Sequence, residues 1–538
     1  MLSDCSVASF RFRQKTLKME CKVEGQEEQL FSGNSESDDK HPQIVNGLNR
    51  SPNKVPLGEQ SRAVRRQAFM VILANMGVIS SGLALAIPTV SLRQLTSELE
   101  PVYLNGTQAS WFASINTLSS PLGGLLSGLL LDKIGRKRTL YVFNLLAITA
   151  WTLLATPSST STEAFYWQLF VSRFIIGVVM GLASAPSGVY AAEISLPKLR
   201  GSLILGTSVS VALGITILYS IGYFIRDNFR LIALICCCYQ IIALLCVLPL
   251  PESPSWLLTK KRVEEAMKSL NYFRGLDKSP RITHPEVLEE FNILQKSLQL
   301  RDGERKPSFL TCLKLPEVHK PLLILMGLFA FQQLSGIFVV IVYAVQISSD
   351  AGVSMDPFMC AVLIGMARLV TTCPMGYVLE KWGRRRAGII STFGMTVSMF
   401  LLAGHGWLEA LQSVPYLPVI AIVGFIVLST LGLYTLPFFM ISELFPQKVR
   451  GPASGLTVAV GMFFAFLCIK MYPDLKSSIG LNNAFVFFGA MSFLAMTFIY
   501  WILPETRGRT LLEIEERFRT GEQKKGPMEV EMQEVFVR

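Results

Sequence analysis

The chain has 538 residues, 51% of them hydrophobic and only 17% charged, against about 25% charged in an average soluble domain. A soluble protein of this size needs a polar surface that this composition does not supply, whereas twelve spans of about 20 residues would use much of the apolar content; a polytopic membrane protein is expected. The few charges are unbalanced, 50 Lys+Arg against 39 Asp+Glu giving +11, and that excess must sit somewhere specific.

In chain order, the first 30 residues are polar and mixed in charge, so no cleavable signal peptide is expected. Residues 1–66 read as a cytoplasmic tail. Six apolar runs follow at about 68–90, 109–131, 139–156, 166–190, 201–224 and 230–250, and define a six-helix bundle over 67–250. Residues 251–320 carry 13 Lys+Arg and 10 Asp+Glu and read as a cytoplasmic linker. Amphipathic patterns at Val263–Phe273 and Pro285–Leu300 predict short helices there, on or near the membrane face. Six more runs, at about 321–344, 357–379, 387–408, 416–440, 451–472 and 484–503, define a second bundle over 321–503, and 504–538 is a cytoplasmic tail. The expected fold class is an all-α membrane protein of twelve transmembrane helices in two six-helix halves.

Other classes lack their signatures. The cysteines have no metal-ligand spacing, and Cys236, Cys237, Cys238, Cys246, Cys373 and Cys468 lie in apolar runs as small hydrophobic residues. Four histidines show no ligand pattern. No nucleophile–base pair points to an enzyme, no metal or cofactor is expected, and no nucleic-acid-binding module is legible. The partners left are a small-molecule solute and the lipid bilayer. Oligomeric state stays open, and a monomer suffices.

With both termini in the cytoplasm, 43 of the 50 basic residues fall on the inner side. Six fall at outer loops or outer span ends: Arg93, Arg173, Arg226, Arg230, Lys470 and Lys476. Arg368 alone falls within a span. This split sets the orientation by the positive-inside rule. The glycosylation sequon Asn105-Gly106-Thr107 then lies outside, and Asn49-Arg50-Ser51, inside, is expected to be silent.

The halves repeat. Asp132-Lys133-Ile134-Gly135-Arg136-Lys137-Arg138 recurs as Glu380-Lys381-Trp382-Gly383-Arg384-Arg385-Arg386. Glu193-Ile194-Ser195-Leu196-Pro197-Lys198-Leu199-Arg200-Gly201 recurs as Glu443-Leu444-Phe445-Pro446-Gln447-Lys448-Val449-Arg450-Gly451, and Pro251-Glu252-Ser253 as Pro504-Glu505-Thr506. Parallel repeats imply a solute site between the halves, near the midplane. All copies fall at cytoplasmic span ends, where Arg136, Arg200, Arg384 and Arg450 match the acids Glu193, Glu252, Glu443 and Glu505. Guanidinium and carboxylate pair in a bidentate way, so these residues read as an inner gate that latches the halves together. The plainer alternative is topology alone, basic loops with acids beside them.

These motifs, with Arg173-Phe174-Ile175-Ile176-Gly177, Gln332-Gln333-Leu334-Ser335-Gly336 and Pro504-Glu505-Thr506-Arg507-Gly508, resemble the sugar porter family of the major facilitator superfamily over about 65–520. Within it the insect facilitated trehalose transporters are similar at Lys470-Met471-Tyr472-Pro473-Asp474-Leu475. The resemblance implies the major facilitator fold and alternating access by rocking of two bundles, with no covalent chemistry. It also implies that Gln332 and Gln333 carry sugar recognition, the alternative being helix–helix glue. Other family positions have changed: the usual glutamine of the fifth span is Ser208, and the asparagine of the seventh is Phe338. The tenth-span motif reads Tyr434-Thr435-Leu436-Pro437-Phe438, where Pro437 and Phe438 keep a helix break and an aromatic face. The Asn-Trp pair of the eleventh span falls on Val460 and Gly461.

Arg368 stands where many relatives have asparagine. It precedes Glu380 by twelve residues, about 18 Å of helix, which is near the midplane of a hydrocarbon core about 30 Å thick. A midplane charge is a functional candidate by default, and Arg368 is expected to line the cavity and select a polyhydroxylated or anionic solute. The alternatives are binding to backbone carbonyls or snorkelling into water. The first span, 68–90, has no Asp or Glu, and by comparison with proton-coupled relatives this favours facilitated transport. The expectation is a facilitative plasma-membrane carrier of trehalose or a hexose-like solute. A non-transporting sensor, or a carrier of another polyol or organic anion using Arg368, are the other candidates.

Overall fold

The computed structural model describes residues 57–158, 161–197, 199–276, 285–303, 312–446 and 449–520. The sequon at Asn49, the motif residues Lys198, Gln447 and Lys448, and the chain beyond 520 lie outside them. Among the described residues every regular element is a helix. The first half holds α1 (Leu57–Leu95), α2 (Gly106–Ile134), α3 (Arg136–Ala155), α4 (Thr162–Ala183), α5 (Pro186–Ile194), α6 (Arg200–Phe224) and α7 (Phe229–Val247). Between the halves lie α8 (Pro254–Thr259), α9 (Val263–Phe273) and α10 (Pro285–Gly303). The second half holds α11 (Pro316–Leu334), α12 (Ile337–Val342), α13 (Ala344–Asp350), α14 (Pro357–Thr372), α15 (Met375–Trp382), α16 (Arg384–Trp407), α17 (Glu409–Gln412), α18 (Leu417–Leu431), α19 (Leu436–Leu444), α20 (Arg450–Ile479) and α21 (Leu481–Trp501), followed by α22 (Leu511–Thr520).

Several apolar runs are not single rods. The run at 166–190 divides into α4 and α5 just before Pro186, and 321–344 divides at Gly336, which has φ 85°. The run at 357–379 bends by 53° before Pro374, between α14 and α15. The run at 416–440 opens between Gly432 and Thr435, just before Pro437. Proline removes a backbone donor and clashes with the preceding turn. Hydropathy does not register the break, because the flanking side chains stay apolar.

By length and apolarity, ten described segments are able to cross a membrane, or eleven counting the bent α14–α15 pair, where the apolar runs predict twelve. The difference is α2. One face of it buries Ser110, Ser114, Asn116, Thr117, Ser119, Ser120 and Ser127 against the protein, which dilutes its apolarity. The other face exposes Leu122, Leu125, Leu126 and Leu129 at helical spacing.

Within the first half α1 packs on α6, α2 on α4 and α3 on α7; within the second, α16 packs on α18 and α21, and α11 on α20. Across the halves α2 meets α20 and α6 meets α14. The α1–α6 crossing is close because two glycines face each other: a Cβ on Gly82 would lie 2.1 Å from the Val211 carbonyl oxygen, and one on Gly214 would lie 2.1 Å from that of Ile79. Small residues let membrane helices approach at backbone distance. The segment between the halves docks on the first half. Arg274 donates to the Ile194 carbonyl (3.0 Å) while pairing with Glu290, and Gln67 joins α1 to the Phe273 carbonyl (2.9 Å).

Candidate functional site

At the end of the bundle carrying the repeated motifs, the two halves build the same structure twice. Arg136 donates from Nε and Nη2 to the two oxygens of Glu193, at 2.8 and 2.5 Å. Arg384 donates from the same two nitrogens to Oε1 of Glu443, at 3.0 and 2.5 Å. The Ser253 hydroxyl donates to Glu193, and the Thr506 hydroxyl to Glu443. Glu252 accepts the backbone N–H groups of Arg136 and Lys137, and Glu505 those of Arg384 and Arg385. These two carboxylates therefore cap the N-termini of α3 and α16, where the helix dipole favours negative charge. The turns before them need glycine: Gly135 (φ 97°) and Gly383 (φ 84°) leave no room for a Cβ, which would lie 2.6 and 2.9 Å from the capping carboxylates.

This geometry differs from the expected pairing of four arginines with four acids. Arg450 donates to the Phe445 carbonyl (3.1 Å), and Arg200 is exposed with no ion pair among the described residues. Both arginine–acid pairs lie inside one half, so in this conformer neither bridges the halves.

The opposite end does bridge them. Among the described residues, every hydrogen bond and ion pair joining the halves lies there. The Thr89 hydroxyl donates to the Ile341 and Val342 carbonyls (2.7 and 2.8 Å), and the Tyr219 hydroxyl also donates to Ile341 (2.5 Å). Arg226 pairs with Asp356. Lys470 donates to the Ser110 hydroxyl (2.5 Å) and lies 5.3 Å from the Trp111 ring centre, while Trp111 packs on Phe466. A cavity of about 470 Å³ opens at this end between Ser110, Tyr343, Gln346, Asp350, Tyr472 and Lys476.

Between the two ends, the helix break before Pro437 gathers most of the expected binding residues. The break frees carbonyls that a continuous helix would use. Gln332, on α11, donates from Nε2 to two of them, Leu433 (3.3 Å) and Tyr434 (2.5 Å). Gln333 donates to Gln332 Oε1 (2.8 Å), and its own Oε1 is buried with no partner among the described residues. Phe338 is buried with its ring 6.3 Å from that of Tyr434. The Arg368 guanidinium lies over the Tyr434 ring at 4.1 Å. Tyr434 thus joins the amide pair to the arginine. In the sequence Tyr434 is only a motif position, since its role arises from the break exposing its carbonyl and turning its ring.

The other expected residues sit around this cluster. Pro437 opens α19 and is buried; Phe438 is half-exposed and packs edge-on against Phe329 at 5.2 Å. Ser208 is exposed on α6, eight residues before Thr216, which packs against Gly365 of α14. Asn105 is exposed and caps α2, accepting from Gln108 N–H at 2.8 Å.

Arg173, expected at an outer span end, is instead wholly buried inside α4, eleven residues or about 17 Å from its start. It donates to the Phe112 (3.0 Å) and Ala84 (2.8 Å) carbonyls. Arg368 is 2% exposed, and none of its guanidinium N–H groups has an acceptor or carboxylate among the described residues. Among the described residues the span interior therefore holds two arginines, one tied to the backbone through Nε and Nη1 with Nη2 unpartnered, and one with no hydrogen bond to the backbone.

The family profile described as "Sugar (and other) transporter" matches residues 62–518. The facilitated trehalose transporter Tret1 of Apis mellifera ligustica is 30% identical over 454 residues, covering 84% of this chain and 87% of the relative. Its namesake from Polypedilum vanderplanki is 28% identical over 456 residues, covering 84% and 88%. Among solved structures, the xylose transporter XylE from E. coli in a partially occluded inward-open conformation aligns with a TM-score of 0.69 at 21% identity, covering 83% of this chain and 100% of that one. The inward-open form of XylE gives 0.69 at 21%, covering 83% and 98%. At this identity the likeness is one of fold.

Proposed function

The chain belongs to the sugar (and other) transporter family, and from that premise we propose that it is a facilitative carrier of a sugar or sugar-like solute. It works by alternating access between two six-helix halves, with twelve spans, both termini in the cytoplasm and residence in the plasma membrane. The observation that carries this reading is the cluster of Gln332, Gln333, Phe338 and Tyr434 at a helix break near the middle of the bundle. Buried amides left partly unbonded are costly, and solute hydroxyl groups can bond them. In this reading Ser208 and Phe438 supply a further hydroxyl and an aromatic face, and Pro437 sustains the break.

The distribution of contacts between the halves supports alternating access. Direct bonds close one end, while the ion pairs at the basic end stay within each half, as a carrier open toward its basic, cytoplasmic side would have them. In the opposite conformer the paired acids and arginines are the groups available to latch that end. The leucine stripe on α2 supports counting it as the twelfth span, its serines and asparagine facing protein and its leucines lipid. The relatives named as trehalose transporters support a disaccharide or hexose-like solute. The stretch of α1 able to cross a membrane, Ser61–Leu95, has no Asp or Glu, which supports transport without a protonating acid in that span.

The test is uptake of labelled trehalose, glucose and a polyol in cells or vesicles, with Gln333→Leu alongside wild type. Saturable uptake that runs down a gradient, reduced about tenfold by Gln333→Leu through loss of roughly one buried hydrogen bond, is expected. Surface-resident protein that moves no sugar would overturn the reading, and accumulation against a gradient driven by pH would overturn the facilitative part.

A further inference from the structure

We propose that the solute this carrier selects is an anionic sugar, a polyol bearing a single carboxylate, and that Arg368 is the residue that selects it. This rests on the sugar-carrier reading above and adds the charge of the solute.

The chain contains its own reference for a structural arginine inside a span. Arg173 is fully buried and is tied to two backbone carbonyls, those of Phe112 from Nε and Ala84 from Nη1, with only its Nη2 left without a partner among the described residues. Arg368 is 2% exposed, and no carboxylate and no hydrogen-bond acceptor meets it among the described residues; unlike Nη2 of Arg173, its nitrogens are not among the fully enclosed unpartnered atoms, so they keep access to the space beside them. The polar groups around it are oriented toward other partners. The Tyr434 carbonyl accepts from the Gln332 amide, the Tyr219 hydroxyl donates to Ile341, and the Thr372 hydroxyl donates back to the carbonyl of Arg368 itself. One turn before Arg368, Gly365 packs on Thr216 and Tyr219 of α6, so this side of α14 looks at the first half, across the path between the bundles.

The Arg368 Cζ lies 4.1 Å from the centre of the Tyr434 ring. A contact of this kind stabilises the cation without using any of its N–H groups. The planar guanidinium matches a carboxylate in the bidentate manner. The carboxylate matches the single charge one for one. A phosphate, carrying about −1.5 to −2 at neutral pH, would bury surplus negative charge beside a single arginine. The buried Oε1 of Gln333 accepts from a sugar hydroxyl on the same ligand, joined to Arg368 through Tyr434. With the anion bound the site is neutral, and empty it is positive, so each cycle moves one negative charge inward.

The full chain in liposomes decides this, with labelled glucuronate and glucose compared at equal concentration and under imposed membrane potentials. Wild type is expected to take up glucuronate at least about tenfold faster than glucose, and faster still with the interior positive. Arg368→Asn should lower the glucuronate-to-glucose ratio by about tenfold or more, the worth of one charge-assisted bond. Arg368→Lys, which keeps the charge without the fork, should keep the order of preference at a smaller ratio. Should Arg368→Asn fail to fold, wild type and Arg368→Lys decide on their own, through competition of glucuronate against labelled glucose and through the dependence on potential. Glucose uptake that glucuronate neither follows nor competes with, or equal uptake of both that ignores potential, overturns the anionic solute and leaves the sugar carrier standing. Failure to move either sugar removes both.

Discussion

Lys470 tests whether the closed end of this conformer is held shut by the contacts observed there. Its ammonium crosses from α20 to the Ser110 hydroxyl and lies against the Trp111 ring on α2. A hydrogen bond from a charged donor contributes about 1.5–3 kcal/mol, and a cation–aromatic contact about 0.5–1 kcal/mol at a partly exposed site. Dehydration of the half-buried ammonium offsets part of this, so about 2 kcal/mol of the closed state's advantage is assigned to this side chain. Lys470→Met keeps the length and removes the charge. At 1.4 kcal/mol per factor of ten, the ratio of open to closed at this end should rise about thirtyfold. The assay is the rate at which a maleimide modifies an engineered cysteine at Gln346, in the adjoining cavity, on purified protein in detergent. Arg226→Gln is the control: its pair with Asp356 is about a third exposed on each side, where such pairs contribute about 0–1 kcal/mol, so the rate should rise only about two- to fivefold. An unchanged rate in folded Lys470→Met protein would refute the assignment of closure to this contact.

Glu193→Gln leaves Arg136 with a neutral partner at a site only 12–18% exposed. After discounting for that exposure, a loss of about 2 kcal/mol is expected, seen as a lower thermal midpoint, and an unchanged midpoint would count against the pair as a structural tie. Gly336→Ala forces a Cβ into a left-handed position 2.8 Å from the Phe488 ring. A cost of about 1–3 kcal/mol should appear as reduced yield and midpoint, and normal stability would mean that the break between α11 and α12 relaxes freely. Thr107→Ala and Asn105→Gln should both remove a glycan, read as a mobility shift on a gel. Only Asn105→Gln also removes the cap of α2, worth about 1 kcal/mol, and equal stability of the two variants would contradict that role.

The sequence by itself determined the class of this protein. Apolar runs, two registers of the same motifs and the one-sided placement of basic residues follow from chain-local rules of hydropathy and topology, and they are legible without coordinates. It also singled out Arg368, because a charge in an apolar run is a local anomaly. Its limits lay where the physics is not local. Arg173 looked like a boundary residue until the carbonyls of Phe112 and Ala84, 61 and 89 residues away in sequence, were found to hold it. The expected four-arginine latch became two arginine–acid pairs, one of them bidentate, plus two carboxylate caps, because only the packed turns decide whether an acid meets a guanidinium or a helix N-terminus. Pro437 announced a break, yet what the break does, offering the Tyr434 carbonyl to Gln332 and its ring to Arg368, depends on three helices meeting at one point. Tertiary structure decided the site because burial leaves polar groups without water, and partners for them are found in space rather than along the chain.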